Sequence, residues 1–182
     1  MNVLITGDTG YIGSTIVPLF LKQGYNVTGL DSDLFEQCVF EAPAYAIPHI
    51  RKDVRDVTVD DLRGFDAIVH LAALSNDPLG NLDPNLTYNI NHKASVRLAE
   101  LARDAGVQRF LFSSSCSIYG AAGQSAVTEE AQFNPVTPYG HSKELVEADV
   151  RKLASHWPRL CDLESHPAPV GRASSRGHAT GG

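Results

Sequence analysis

The chain has 182 residues, enough for one domain with a substantial core or one domain plus a tail, and its 43% hydrophobic and 20% charged residues describe an ordinary globular protein. A net charge of −6 argues against a nucleic-acid-binding surface, and no apolar run approaches the roughly 20 residues of a membrane span. Cys38, Cys116 and Cys161 are too scattered for a disulfide framework or a zinc site, and the N-terminus lacks a leader-like pattern, so the expectation is a cytoplasmic protein with reduced thiols, no metal and small-molecule partners.

Asn2 to Thr6 read as a buried strand that runs into Gly7, Gly10 and Gly13 and then into helical periodicity carried by Ile12, Ile16 and Phe20. A strand, a glycine turn and a helix in that order allow a pyrophosphate to approach the backbone and meet the free N–H groups of the first helical turn. Gly24 closes the helix, and a second strand over Tyr25 to Leu30 delivers Asp31, where a dinucleotide-binding unit places a carboxylate for the adenosine ribose. A carboxylate there accepts both ribose hydroxyls and repels a 2′-phosphate, which favours NAD over NADP; a solvated turn aspartate is the competing reading.

Pro48 to Lys52 suggest a third strand, followed by Asp53, Val54 and a short helical piece near Val59 to Leu62. Phe65 to Leu71 form a stronger strand, and the small Ala72 and Ala73 behind it suit a cofactor wall. After turns at Asn76-Asp77-Pro78 and Asp83-Pro84, Ile90, Ala94, Leu98, Leu101 and Ala105 trace one face of a long helix that Gly106 ends. Gln108 to Ser113 give the next strand, leading into Ser113-Ser114-Ser115. A polar loop from Ala121 to Asn134 then leads through Pro135 to Lys143 into a helix that runs to about His156. The alternation predicts an α/β fold, a doubly wound parallel sheet with a Rossmann-like NAD-binding domain over residues 1–156. The glycine turn, Asp31, Ala72-Ala73 and Ser113 to Ser115 would then gather at the carboxyl ends of the strands.

Tyr139 and Lys143 are four residues apart, so a helix places both on one face. A phenol has a pKa near 10 and is a poor base at neutral pH, but a neighbouring ammonium favours the phenolate. Tyr139 so tuned takes a proton from a substrate hydroxyl while the adjacent carbon gives a hydride to NAD, and Ser115 holds the same oxygen. A helix-start tyrosine beside a solvated lysine is the bland alternative.

The motifs Thr6-Gly7-Asp8-Thr9-Gly10-Tyr11-Ile12-Gly13, Asp31, Asp53-Val54, His70-Leu71-Ala72-Ala73, Asn89-Ile90-Asn91, Ser113-Ser114-Ser115 and Tyr139-Gly140-His141-Ser142-Lys143 together resemble the NAD-dependent epimerase/dehydratase family of extended short-chain dehydrogenases/reductases. The resemblance implies that Gly7, Gly10, Tyr11, Ile12 and Gly13 line the pyrophosphate, Asp31 the ribose, and Asp53 with Val54 the adenine. It implies that Leu71, Ala72, Ala73 and Asn89 flank the nicotinamide side, that Tyr139 is the catalytic base, that Lys143 holds the nicotinamide ribose and lowers the tyrosine pKa, and that Ser115 orients the reacting oxygen. It further implies a nucleotide-sugar substrate and a homodimer built through the helix of Tyr139 and Lys143. Sugar 4,6-dehydratases carry an Asp-Glu pair after the catalytic Ser or Thr; here Cys116-Ser117 stand there, which points to an epimerase or a reductase.

The family pattern stops near His156. Trp157 to Gly182 contain three Pro, four Gly, three Ser and three Arg with no sustained period, and read as a disordered tail outside the family pattern. The expectation is a chain lacking the C-terminal substrate lobe, with weak or absent turnover. A non-catalytic NAD-binding or redox-sensing module and a non-functional fragment stand as alternatives.

Overall fold

The computed structural model describes residues 1–38, 45–120, 128, 130–154 and 157. Five strands form one parallel sheet: β1 (Asn2–Thr6), β2 (Asn26–Asp31), β3 (His49–Arg51), β4 (Ala67–His70) and β5 (Arg109–Phe112), in the order β3-β2-β1-β4-β5. Because side chains alternate along a strand, Val3 and Ile5 point to one face of the sheet and Leu4 and Thr6 to the other. Val3, Ile5, Val27, Ala67 and Val69 pack against Val17 of α1 (Tyr11–Lys22). On the opposite face, Leu4, Leu30, Ile68 and Phe110 pack against Leu98, Ala99 and Ala102 of α5 (Ala94–Asp104) and Val146 and Val150 of α6 (Pro138–Ala154). This is the doubly wound Rossmann-like sheet that the strand-helix alternation predicts.

The helix ends are read correctly from their glycines. Gly24 adopts φ 80°, its N–H donates to the Leu21 carbonyl, and the Tyr25 N–H donates to the Phe20 carbonyl. The Phe20 and Tyr25 rings meet at 5.4 Å, so the left-handed cap is sealed by an apolar contact. Gly106 repeats the arrangement, with Val107 N–H donating to the Ala102 carbonyl.

Three local features differ from the sequence reading. The buried stripe of α1 is Gly13 and Val17, with Ile16 and Phe20 at its margin, while Ile12 is exposed. The two turns after β4 are the starts of short helices: Asn76 caps α3 (Asp77–Leu82) and Asp83 caps α4 (Pro84–Thr87), each with proline in the first turn. These helices are too short to show a period. Between α4 and α5 the chain makes a π-helical turn over Tyr88–Lys93, closed by the Ala94 N–H donating to the Asn89 carbonyl. The extra residue shifts the helix phase, so Asn91 and Ser95 turn inward with Ala94 and Leu98.

α2 spans Val59–Leu62, as the sequence suggests. Trp157 is buried at 7% exposure within the cluster that holds Phe112, Val146 and Val150. Apart from that residue, the tail expected over 157–182 lies outside the described residues.

Candidate active site

The first turn of α1 has the makings of an anion cradle. Gly10 starts the helix with no side chain capping it, and its carbonyl accepts the first helical bond, from Ser14 N–H; the N–H groups of Tyr11, Ile12 and Gly13 precede that ladder. Gly7 has φ 77°, and a Cβ there would stand 2.8 Å from the Ala72 nitrogen. A Cβ on Gly13 would overlap the Gly7 carbonyl and the Asp8 backbone. The turn is therefore closed enough that only glycine fits, and backbone rather than side chain faces the crevice between β1 and β4. Tyr11 is 92% exposed at its rim.

Asp31 ends β2 half-buried; its Oδ1 accepts the Asp33 N–H at 3.0 Å. Asp53 is engaged locally: it accepts from the backbone N–H and the guanidinium of Arg55, which holds its carboxyl below the usual range against a burial effect of opposite sign. Val54 beside it is buried in the core. Leu71, Ala72 and Ala73 continue β4 as a half-buried wall next to Gly7.

Behind that wall a polar chain crosses the sheet. The Ala72 N–H donates to Thr6 Oγ1 at 3.3 Å, Thr6 Oγ1 lies 2.6 Å from His70 Nδ1, and His70 Nε2 lies 2.7 Å from Ser95 Oγ. Ser95 Oγ donates to the Asn91 carbonyl, so it accepts from His70 Nε2–H, and Nδ1 in turn accepts from the Thr6 hydroxyl. Burial, with the charge of Lys143 adding to it, lowers His70 to about 3, so the ring is neutral.

Asn89 is exposed, and its Oδ1 accepts from Lys93 Nζ at 2.9 Å. Asn91, two residues on and buried, instead grips the loop after β4, accepting the Leu74 N–H at 2.8 Å and donating to the Leu74 carbonyl at 3.0 Å. Its amide also donates to Ser142 Oγ on α6 at 3.3 Å. Apolar periodicity is blind to such a residue. An asparagine inside a run of helical pattern was the signal available.

Ser115, Tyr139 and Lys143 are brought together beyond the end of β5. Ser115 Oγ caps a 3₁₀ turn (Cys116–Tyr119) by accepting the Ser117 N–H and lies near enough to the Tyr139 phenol to lower it. Lys143, 4% exposed, donates from Nζ to the Ser113 carbonyl at 2.8 Å, 4.6 Å from the Phe112 ring centroid and 5.8 Å from that of Tyr139. Burial lowers its ammonium to about 8. The phenol is raised, chiefly by burial, with the Ser115 hydrogen bond pulling it back and the charges of Asp77 and Cys116 pushing it further. The sequence reading expected a lowered phenol. The sign reverses because both partners are desolvated and the ammonium is aimed at a carbonyl.

Asp77 is a site residue that the sequence reading left in a turn. The Thr137 hydroxyl donates to Asp77 Oδ1 at 2.5 Å and accepts the Gly140 N–H at 3.1 Å, so the start of α6 is tied to α3 on either side of Tyr139.

The sequence profile described as NAD dependent epimerase/dehydratase family matches residues 3–161. A UDP-glucose 4-epimerase of Neisseria meningitidis serogroup A is 34% identical over an alignment of 190 positions, covering 96% of this chain and 55% of that protein. MoeE5, solved in complex with UDP-glucose and NAD, is 30% identical with a TM-score of 0.75, over 85% of this chain and 50% of that one. The UDP-glucose 4-epimerase of Thermus thermophilus, solved as its complex with NAD, is 28% identical with a TM-score of 0.75, over 87% of this chain and 52% of that one. The chain spans about half the length of the relatives that it matches.

Proposed function

The chain belongs to the NAD dependent epimerase/dehydratase family, and on that premise we propose that it binds NAD at the Gly7–Gly13 turn and serves hydride transfer at a hydroxyl or keto carbon of a nucleotide sugar, in an epimerase or reductase reaction. The observation that carries this reading is the convergence of Ser115, Tyr139 and Lys143, from two separate segments, beside the crevice that opens between β1 and β4.

The residues present fit the cofactor. The N–H groups of Tyr11, Ile12 and Gly13 would hold a pyrophosphate at the turn of Gly7 and Gly10, and Asp31, with Oδ1 taken by the Asp33 N–H, would offer Oδ2 to ribose hydroxyls. Asp53 and Val54 stand for the adenine, and Leu71, Ala72 and Ala73 for the wall beside the nicotinamide. NAD, when bound, supplies a hydride acceptor and a positive charge. Tyr139 Oη accepts the proton of the substrate hydroxyl, and Ser115 Oγ, beside that phenol, holds the same substrate oxygen. Lys143 supplies a donor to the cofactor ribose and charge that favours the phenolate. Burial raises the resting phenol, and a positive charge beside it would favour loss of its proton.

Replacing Tyr139 by phenylalanine tests this. The wild-type chain is expected to bind NAD and to reduce it with UDP-glucose as probe, read by the near-ultraviolet absorbance of reduced NAD; Tyr139→Phe is expected to keep NAD affinity within about twofold and lose at least about 100-fold in reduction. Equal reduction by both proteins overturns the role of Tyr139. The competing reading is an NAD-binding module without turnover. That reading predicts NAD binding by both proteins and reduction by neither.

A further inference from the structure

The glycine turn carries one residue that a phosphate cradle has no use for. Asp8 is buried at 3% exposure, and its Oδ1 has no hydrogen-bond partner among the described residues. Its carboxylate lies over Gly29 of β2: a Cβ at Gly29 would overlap it. Side chains two apart on a strand share a face, so Gly29 and Asp31 open onto the same side of the sheet, and the Asp8 carboxylate fills the place between the diphosphate turn and the ribose acid.

The pairing of this carboxylate favours its ionised form against burial. His49 of β3, the register partner of Gly29, places Nδ1 3.1 Å from Asp8 Oδ2 and Nε2 3.2 Å from Asp33 Oδ2. An imidazole that faces a carboxylate with each nitrogen donates from both only as the imidazolium. Against burial, which lowers it, the carboxylates of Asp8 and Asp33 raise His49 and favour the imidazolium between them, and Arg51 is occupied between Asp33 and Glu36. Burial pushes the Asp8 carboxyl up, and His49 pulls it back. With Asp31 included, this edge of the pocket is net negative, and the Asp8 charge, being buried, is little screened by salt.

We propose that Asp8 is a second cofactor-specificity residue: together with Asp31 it admits an adenosine ribose with a free 2′-hydroxyl and rejects a 2′-phosphate, with His49 as the counter-charge that limits the repulsion. The assignment rests on the NAD reading above. A 2′-phosphate brings close to two negative charges against this edge, whereas a 2′-hydroxyl brings none and can donate a hydrogen bond. Asp31, with one oxygen taken by the Asp33 N–H, shares the discrimination with a carboxylate that solvent does not reach.

The test is the ratio of dissociation constants for NADP and NAD, by calorimetric titration of the 182-residue chain, for the wild type, Asp8→Asn, Asp8→Ser and His49→Gln. Both Asp8 variants are expected to lower the ratio at least about tenfold. His49→Gln, which removes the positive charge and leaves Asp8 in place, is expected to raise it. A role of Asp8 in folding alone moves both affinities together and leaves the ratio unchanged, which overturns the assignment. Should the Asp8 variants not fold, a His49→Gln ratio equal to or below that of the wild type overturns it. A wild-type chain that binds neither cofactor overturns the NAD reading instead.

Discussion

Lys143 is expected to destabilise the free protein, and the effect has a magnitude and a pH window. Burial lowers its ammonium from 10.5 in the unfolded chain to about 8 in the folded one, which at about 1.4 kcal/mol per pH unit corresponds to roughly 3 kcal/mol. The sign follows from the protons bound: between pH 8 and 10.5 the unfolded chain holds a proton that the folded chain has released, so folding becomes more favourable as pH rises through that window. Below pH 8 both states are protonated, and the penalty is present in full. Lys143→Met fills a similar volume without a charge. It forfeits the hydrogen bond to the Ser113 carbonyl and the contact with the Phe112 ring, worth about 1–3 kcal/mol and about 1–2 kcal/mol in other proteins. The two effects nearly cancel, so the variant is expected to lie between about 1 kcal/mol above and about 2 kcal/mol below the wild type in stability at pH 7. The cleaner measure is the difference between the two proteins in urea unfolding, followed by far-ultraviolet circular dichroism from pH 7 to 10.5, since all other titrations cancel. The wild type should gain roughly 3 kcal/mol on the variant across the window. A difference that is flat in pH, or that moves against the wild type, refutes the reasoning.

Two further perturbations test the turn and the far end of the core. Gly13→Ala places a Cβ against the Gly7 carbonyl and the Asp8 backbone and should cost about 1–3 kcal/mol as well as most of the NAD affinity, whereas Gly24→Ala, at φ 80° with open space around it, should cost about 1 kcal/mol and leave binding intact; equal binding by the two variants, measured by titration with NAD, counts against the cradle. Trp157 is the single tryptophan of the chain and is buried, so its fluorescence should resist iodide quenching in the native protein, and Trp157→Ala should cost about 3–5 kcal/mol in urea unfolding; ready quenching would place the side chain outside the core.

What was legible in the sequence is what local rules dictate. Strand patterns followed by glycines gave the order of the elements and their ends, because Gly24 and Gly106 sit where a left-handed residue is required. Tyr139 and Lys143 were legible because one helix relates them. The glycine at position 29 looked like an ordinary strand residue, since the carboxylate that fills its place comes from another strand's turn, 21 residues earlier. Helices as short as α3 and α4 carry too few residues for a period, and the π-helical turn that brings Asn91 and Ser95 inward leaves no mark in apolar spacing. The sign of the Tyr139 shift was beyond reach for a different reason. Desolvation depends on what packs around a group, and spacing along one helix does not contain that.

The placement of α6 is where these pieces meet. Val146 and Val150 bury it against the sheet, but an apolar stripe tolerates sliding by a turn, which would carry Tyr139 about 5 Å from Ser115. Polar links remove that freedom. Thr137 is hooked to Asp77, Ser142 receives Asn91, Lys143 reaches the Ser113 carbonyl, and Glu147, itself buried, accepts from Ser114 at 2.5 Å. Each link joins α6 to a segment at the carboxyl end of the sheet, and each would leave a desolvated polar group if the helix moved. The register of the Tyr139 helix is thus set by groups that contribute little net stability and a great deal of specificity, and these groups, rather than the larger apolar ones, bring the phenol to the crevice.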